Sequence, residues 1–289
     1  MNDEKPQPPV ITETDAKPVA STPAPVGPKK STMREYFESF VVTLIMAIFG
    51  MTFILQAVTV PTGSMQNTIM IGDYLLVNKF IFTPGGHELP FLPQREIQRG
   101  DIIVFKYPGN KKHPESDLRH GSSAIPYQVN YVKRVIGLPG ETVEFRDNHV
   151  YINGELLAEN RMLGDPPTRG DQESALVTSP LEDPTPGAKW TVYYGKDSVD
   201  MIKANQHPSR LGYEFGVAGK PSVVPDNSFF VMGDSRDNSE DSRYWGFVPR
   251  DLIIGRAMFV YWSCDRGAGD GALSCITHPR FSRIGHFVK

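Results

Sequence analysis

Between Phe40 and Val60 the chain carries no charged side chain. At about 1.5 Å of rise per residue, that run is roughly 30 Å long as a helix, the thickness of a bilayer's hydrocarbon core. Only Thr43, Thr52, Gln56 and Thr59 interrupt its apolar surface, whereas a soluble helix of this length shows a polar stripe. A membrane-spanning helix is therefore predicted. A buried core helix is the soluble alternative and a cleavable leader a second. Against the leader stand the length of the apolar run and the polar tail ahead of it. Lys29, Lys30 and Arg34 lie just before the span and no basic residue follows until Lys79, so the tail is predicted to be cytoplasmic and everything from Pro61 onward to lie on the far side.

What flanks the span differs on its two sides. Ahead of it, Pro6, Pro8, Pro9, Pro18, Pro23, Pro25 and Pro28 sit among polar residues with too little apolar surface to offset the entropy of ordering, so a disordered tail is expected. Beyond it, 26 glycines, 25 prolines and a scarcity of long helical runs favour short strands and turns. Strands are predicted at 72–80, 101–107, 131–137, 149–155 and 229–233, separated by Pro-Gly and Asn-Gly turns, which reads as an antiparallel β domain. From Glu155 to about Pro225 the character changes, with D-P-P-T-R-G-D, L-E-D-P-T-P-G and an isolated W-T-V-Y-Y. The predicted organisation is a tail at 1–34, an anchor helix at 35–60, a mainly β domain at 61–155 and 226–289, and an inserted, smaller β-rich domain at 156–225. The polar loop 110–123 is expected to be mobile. A net charge of −3 implies no polyanionic partner, so nucleic acid is not expected. Two cysteines, Cys264 and Cys275, cannot supply a four-cysteine zinc site; they are read either as a local bridge or as two thiols.

The span is followed by V-P-T-G-S-M-Q-N-T-I, which sets Ser64 among turn-forming residues. A serine is a weak nucleophile until a base takes its proton. None of the seven histidines is well placed: His87, His113 and His120 fall in polar loops, His149 opens a strand, and His207, His278 and His286 lie in irregular stretches, with no G-x-S-x-G elbow anywhere. A lysine can serve if burial makes it neutral. In Y-V-K-R-V-I-G, alternation puts Tyr131, Lys133 and Val135 on one face, so Lys133 has apolar neighbours and no adjacent carboxylate. On that pattern alone, a lysine snorkelling from an edge strand is the better reading. The block from Gly233 to Pro249, G-D-S-R-D-N-S-E-D-S-R-Y-W-G-F-V-P, fails as a calcium loop because Ser242 and Val248 stand where Gly and Glu are needed. It reads as a hydrogen-bonded turn that fixes other side chains. The stretch ending at Lys220, G-Y-E-F-G-V-A-G-K, lacks the spacing of a phosphate loop.

Taken in order, the span, P-T-G-S-M, G-D-Y-L-L-V-N-K-F, R-G-D-I-I-V-F, Y-V-K-R-V-I-G-L-P-G-E and the G-D-S-R-D-N-S block resemble the bacterial type I signal peptidases. The resemblance implies a membrane-bound serine endopeptidase that cuts signal peptides from exported preproteins, with no metal and no cofactor. It implies Ser64 as nucleophile and Lys133 as general base, a convergent variant of the serine triad that overrides the snorkelling reading. It gives the oxyanion hole to the backbone N–H of Ser64 and the hydroxyl of Thr62, where many members have serine. Asn67 stands where members often have proline. Ser239 matches the serine that hydrogen-bonds the lysine amine, Asp241 and Arg243 match supporting charges, and Arg134 with Asp234 resembles a structural ion pair. Val60, Pro61, Met65, Tyr131, Val132 and Met232 resemble positions lining shallow pockets for small substrate residues. The substrate would lie extended between the strand before Ser64 and the strand of Lys133. A periplasmic location would permit the Cys264–Cys275 bridge without requiring it. A rival of another class is an inactive membrane-anchored β module that binds or assembles exported proteins.

Overall fold

The computed structural model describes residues 31–82, 94–112, 126–165, 176–204, 212–265 and 274–289. The Pro-rich tail, most of the loop 110–123, most of D-P-P-T-R-G-D, and His87, His113, His120 and His207 lie outside those residues. The chain divides into two compact units, Met1–Ala47 and Ile48–Lys289.

Helix α1, Thr32–Phe49, begins where the Ser31 hydroxyl accepts a bond from the Arg34 N–H (3.3 Å), and an Arg34–Glu38 pair braces its first turns (2.8 Å). The helix widens into a π turn at Gly50–Ile54, so the apolar helical run is Thr32–Ile54, 23 residues. This corrects the expected anchor of 35–60. Leu55 turns to extended backbone, and Leu55–Thr59 is strand β1. An uncharged run tells only that side chains avoid water; it does not distinguish a helix from a strand whose backbone groups find partners elsewhere.

Those partners are on β2 (Asp73–Asn78), in register from Leu55↔Asn78 to Thr59↔Tyr74. The other strands are β3 (Ile102–Lys106), β4 (Asn130–Gly137), β5 (Thr142–Arg146), β6 (His149–Ile152), β7 (Glu155–Leu156), β8 (Asn160–Asp165), β9 (Val177–Pro180), β10 (Thr191–Tyr194), β11 (Ser222–Val223), β12 (Ser228–Met232), β13 (Val248–Pro249) and β14 (Ile253–Ser263). They form a seven-stranded sheet ordered β1-β2-β14-β3-β4-β12-β13, a four-stranded sheet β11-β5-β6-β7 and a three-stranded sheet β10-β8-β9. The molecule is mainly β, as expected, and among the named strands only β8 and β10 pair in parallel. Cys264 and Cys275 are joined by a disulfide.

Alternation along β3 divides the core. Ile102 and Val104 pack with Val60, Met65, Leu75 and Val77, while Ile103 and Phe105 pack on the other face with Val135, Val231 and Trp245. Both faces of the large sheet are therefore covered. In the stretch 156–225, Trp190, Val192 and Tyr194 share a third cluster with Ile136, Phe230 and Met232, and β11 pairs with β5. The smaller sheets are thus packed onto the large one through common apolar contacts.

Strand β4 changes partners midway. All of Asn130–Arg134 pairs with β3, but β12 joins only from Arg134 onward, at Met232↔Arg134 and Val231↔Val135. On the β12 side, the half from Asn130 to Lys133 meets no named strand.

Candidate active site

After β1 the chain passes through Val60 and Pro61 and tightens into a single 3₁₀ turn, Gly63–Met65, with Thr62 extended at its N-cap. This turn points Ser64 at β4, where Lys133 Nζ lies 2.5 Å from Ser64 Oγ. Both side chains are buried, 8% and 4% exposed, so the pair sits out of bulk water yet opens on one cleft. The cleft has a volume of about 450 Å³; Val60, Pro61, Thr62 and Met65 form one wall and Tyr131 and Val132 the other.

Burial is the main force on the lysine. It pushes the Lys133 amine from 10.5 down to about 8, opposed by the negative charges of Asp241, Glu240 and Asp234 and reinforced by Arg243. At pH 7 an amine held there is neutral in roughly a tenth of the molecules, about 300 times the fraction of an exposed lysine, and it is mostly neutral only above about pH 8.

The turn after β12 supplies the supporting charges. Asp241 caps the short helix Ser242–Trp245 and receives two bonds from the Arg243 guanidinium, Nε to Oδ1 and Nη2 to Oδ2, both 2.8 Å. Burial alone would raise this carboxyl, yet Arg243 holds it below the usual carboxylate value. The resemblance gives Ser239 a bond to the Lys133 amine; here its hydroxyl donates to Asp241 Oδ2 (2.8 Å). Gly233 separates the two halves of the site. A Cβ on it would lie 2.4 Å from the Ser64 carbonyl oxygen and 2.3 Å from Ser239 Oγ, so only glycine fits. Arg134, next to Lys133 on β4, makes a two-pronged pair with Asp234 (2.7 and 2.6 Å), whose Oδ2 also accepts from Thr68 Oγ1 (2.6 Å).

Chemically, this is a hydroxyl in contact with an amine of lowered basicity, in a cleft beside the half of β4 that, among the described residues, lacks a strand partner on its β12 side. The profile of the family described as signal peptidase, peptidase S26, matches residues 33–262. The chain belongs to that family. It is 32% identical to a signal peptidase I of Pseudomonas aeruginosa over 89% of this chain and 80% of the relative. A Pseudomonas fluorescens signal peptidase I is 33% identical over the same shares of the two chains. An Aquifex aeolicus signal peptidase I is 32% identical over 80% of this chain and 85% of its own. This chain is accordingly a serine peptidase of the signal peptidase type.

Of the pocket positions taken from the family resemblance, five line the cleft and one does not. Met232 is fully buried and packs with Ile136, Val192 and Phe230 beneath the sheet. It sits opposite Arg134 at the first β4–β12 pair, where alternation turns its side chain to the covered face. The cleft also includes Thr59, Val129 and Asn130, together with Asp237, Asn238, Glu240 and Tyr244 of the Gly233–Pro249 block, to none of which the resemblance gave a site role. The last four are part of the block that the sequence already marked as a turn fixing other side chains. Glu159 gave no signal: it lies in the unpatterned stretch and is the buried partner of Arg236, which lies within the Gly233–Pro249 block but outside the cleft.

Proposed function

We propose that this peptidase removes signal peptides from exported preproteins by a Ser-Lys dyad, with Ser64 as nucleophile and Lys133 as general base. The contact between Lys133 Nζ and Ser64 Oγ at 2.5 Å carries the reading. As Ser64 Oγ attacks the scissile carbonyl carbon, its proton passes to Lys133 Nζ, and the carbonyl oxygen becomes an oxyanion. The Ser64 N–H and the Thr62 hydroxyl bind that oxyanion. Its collapse breaks the peptide C–N bond; Lys133 returns the proton to the departing amine, leaving an acyl-serine. Water, deprotonated by the same lysine, then releases the signal peptide. Asp241 with Arg243, and Asp234 with Arg134, hold the polypeptide around the lysine, and Ser239 orients it through Asp241.

The open edge of β4 from Asn130 to Lys133 suits a substrate bound as an added strand, with the segment before Ser64 on its other side. Shallow walls of Val60, Pro61, Met65, Tyr131 and Val132 favour small side chains next to the cut. The apolar helix Thr32–Ile54 serves as a single membrane anchor. The basic residues before it set the N-terminus in the cytoplasm and the catalytic unit on the outer side of the cytoplasmic membrane, where signal peptides emerge. Bilayer lipid and preprotein are the partners; no metal or other cofactor takes part.

Cleavage of a preprotein by the full chain in detergent micelles tests this. Ser64→Ala and Lys133→Ala each reduce turnover to background, and the parent's rate rises with pH to a plateau above about 8. Undiminished cleavage by either variant contradicts the dyad, and no cleavage by the parent favours a binding module.

A further inference from the structure

The residues after the disulfide form a strap across the back of the active site. Gly285 N–H donates to the Val260 carbonyl, Val260 N–H to His286, and Val288 N–H to Met258 (2.8, 2.9 and 2.8 Å), so the strap runs beside β14. Val288 is buried in the same apolar cluster as Val60, Met65 and Ile69, residues on either side of Ser64 in the chain. From this strap and the chain leading into it, two arginines reach the loop that follows Ser64. Arg280 Nη1 donates to the Ile71 carbonyl (2.7 Å). Arg283 places Nε and Nη2 on the Asp73 carboxylate (3.1 and 2.6 Å), and Nη2 also donates to the Thr68 carbonyl (3.2 Å).

Asp73 is fully buried and is the hub of that loop. Besides Arg283, it accepts from the Met70 N–H (2.9 Å) and from Ser263 Oγ (2.7 Å). Thr68, gripped by Arg283 at its carbonyl, donates its hydroxyl to Asp234, the partner of Arg134 beside Lys133. The strap touches the lysine side directly as well, because Arg134 Nη2 donates to the Lys289 carbonyl (3.0 Å). One segment therefore holds both the loop that follows the Ser64 turn and the strand that carries Lys133.

We propose that Arg283 is a positioning residue of the peptidase, holding Ser64 in range of Lys133 through the Asp73 carboxylate and the Thr68 carbonyl. The inference rests on the Ser64–Lys133 reading. Its physical basis is that a buried carboxylate without its cation draws in water or a proton, and the loop it organises then relaxes. A misplacement of the order of 1 Å at the reacting atoms costs about 100-fold in rate. Arg283 does not itself line the cleft, so substrate binding is spared.

The test uses the full chain in detergent micelles and a peptide spanning a signal-peptide cleavage site. Arg283→Gln lowers kcat by about 10- to 100-fold, leaves KM within about threefold, and leaves the pH midpoint of the rate unchanged, because burial of Lys133 is not altered. Arg283→Lys recovers part of the loss. The double variant Asp73→Asn with Arg283→Gln removes the buried charge while keeping polar partners, so it restores thermal stability without restoring kcat. A folded Arg283→Gln enzyme with parental kcat overturns the proposal. So does a double variant that recovers stability and kcat together, since the role would then be structural. Ser64→Ala, assayed in parallel, separates the two readings: if it is inactive while Arg283→Gln is unimpaired, only the positioning role falls. Cleavage that persists in Ser64→Ala overturns the dyad itself.

Discussion

Replacing Lys133 by methionine keeps most of the side chain's length and removes its amine. In the folded chain burial lowers that amine to about 8, against 10.5 when it is free. Between those values the unfolded chain binds a proton that the folded chain does not, so stability rises with pH across the window. Below about 8 the full penalty applies. At about 1.36 kcal/mol per pKa unit, the gap between 10.5 and about 8 amounts to roughly 3 kcal/mol at neutral pH. Methionine escapes that cost but forfeits the bond from Lys133 Nζ to Ser64 Oγ, worth about 1 kcal/mol. Lys133→Met is therefore expected to be inactive yet about 2 kcal/mol more stable than the parent near pH 7. Near pH 10.5 the gain disappears and the variant is slightly the less stable. Urea unfolding in detergent micelles, followed by circular dichroism at the two pH values, measures both quantities. If the parent is equally stable at both, or the variant is the weaker near pH 7, the argument from burial is refuted.

Two further substitutions probe the frame around the dyad. Gly233→Ala drives a methyl into the Ser64 carbonyl and Ser239 Oγ, and kcat should fall by about 100-fold with a lowered melting temperature; parental kcat would show that the turn yields without moving Ser64. Arg243→Ala strips Asp241 of its buried cation and should cost about 3–5 kcal/mol in urea unfolding. Because Arg243 helps hold the lysine amine down, any folded Arg243→Ala enzyme should reach its rate plateau at higher pH than the parent.

The motif blocks made the family resemblance legible because each is local in sequence, although alternation alone favoured a snorkelling Lys133. Ser64 and its turn, Lys133 with apolar neighbours, and the Gly233–Pro249 turn are each set by residues adjacent in the chain. The β class and five strands were also legible, since alternation and Asn-Gly turns are short-range signals; Asn153 and Gly154 both adopt positive φ at such a turn. The span was visible as an apolar run, but its end was not, because Leu55–Thr59 is held extended by hydrogen bonds to β2, a partner that hydropathy does not register.

What the sequence determined by itself is which candidate groups the chain carries, Ser64, Lys133 and the Gly233–Pro249 turn, and the order in which it presents them. Tertiary structure alone decided their relations: that Ser64 and Lys133 touch, that Met232 turns to the covered face, and that among the described residues half of β4 has no strand partner on its β12 side. It also brought Arg283 from near the other end of the chain to the loop behind Ser64. The reason is physical. A residue's chemistry is covalent and travels with its letter, whereas its pKa, its exposure and its reach depend on neighbours that only the packed chain supplies.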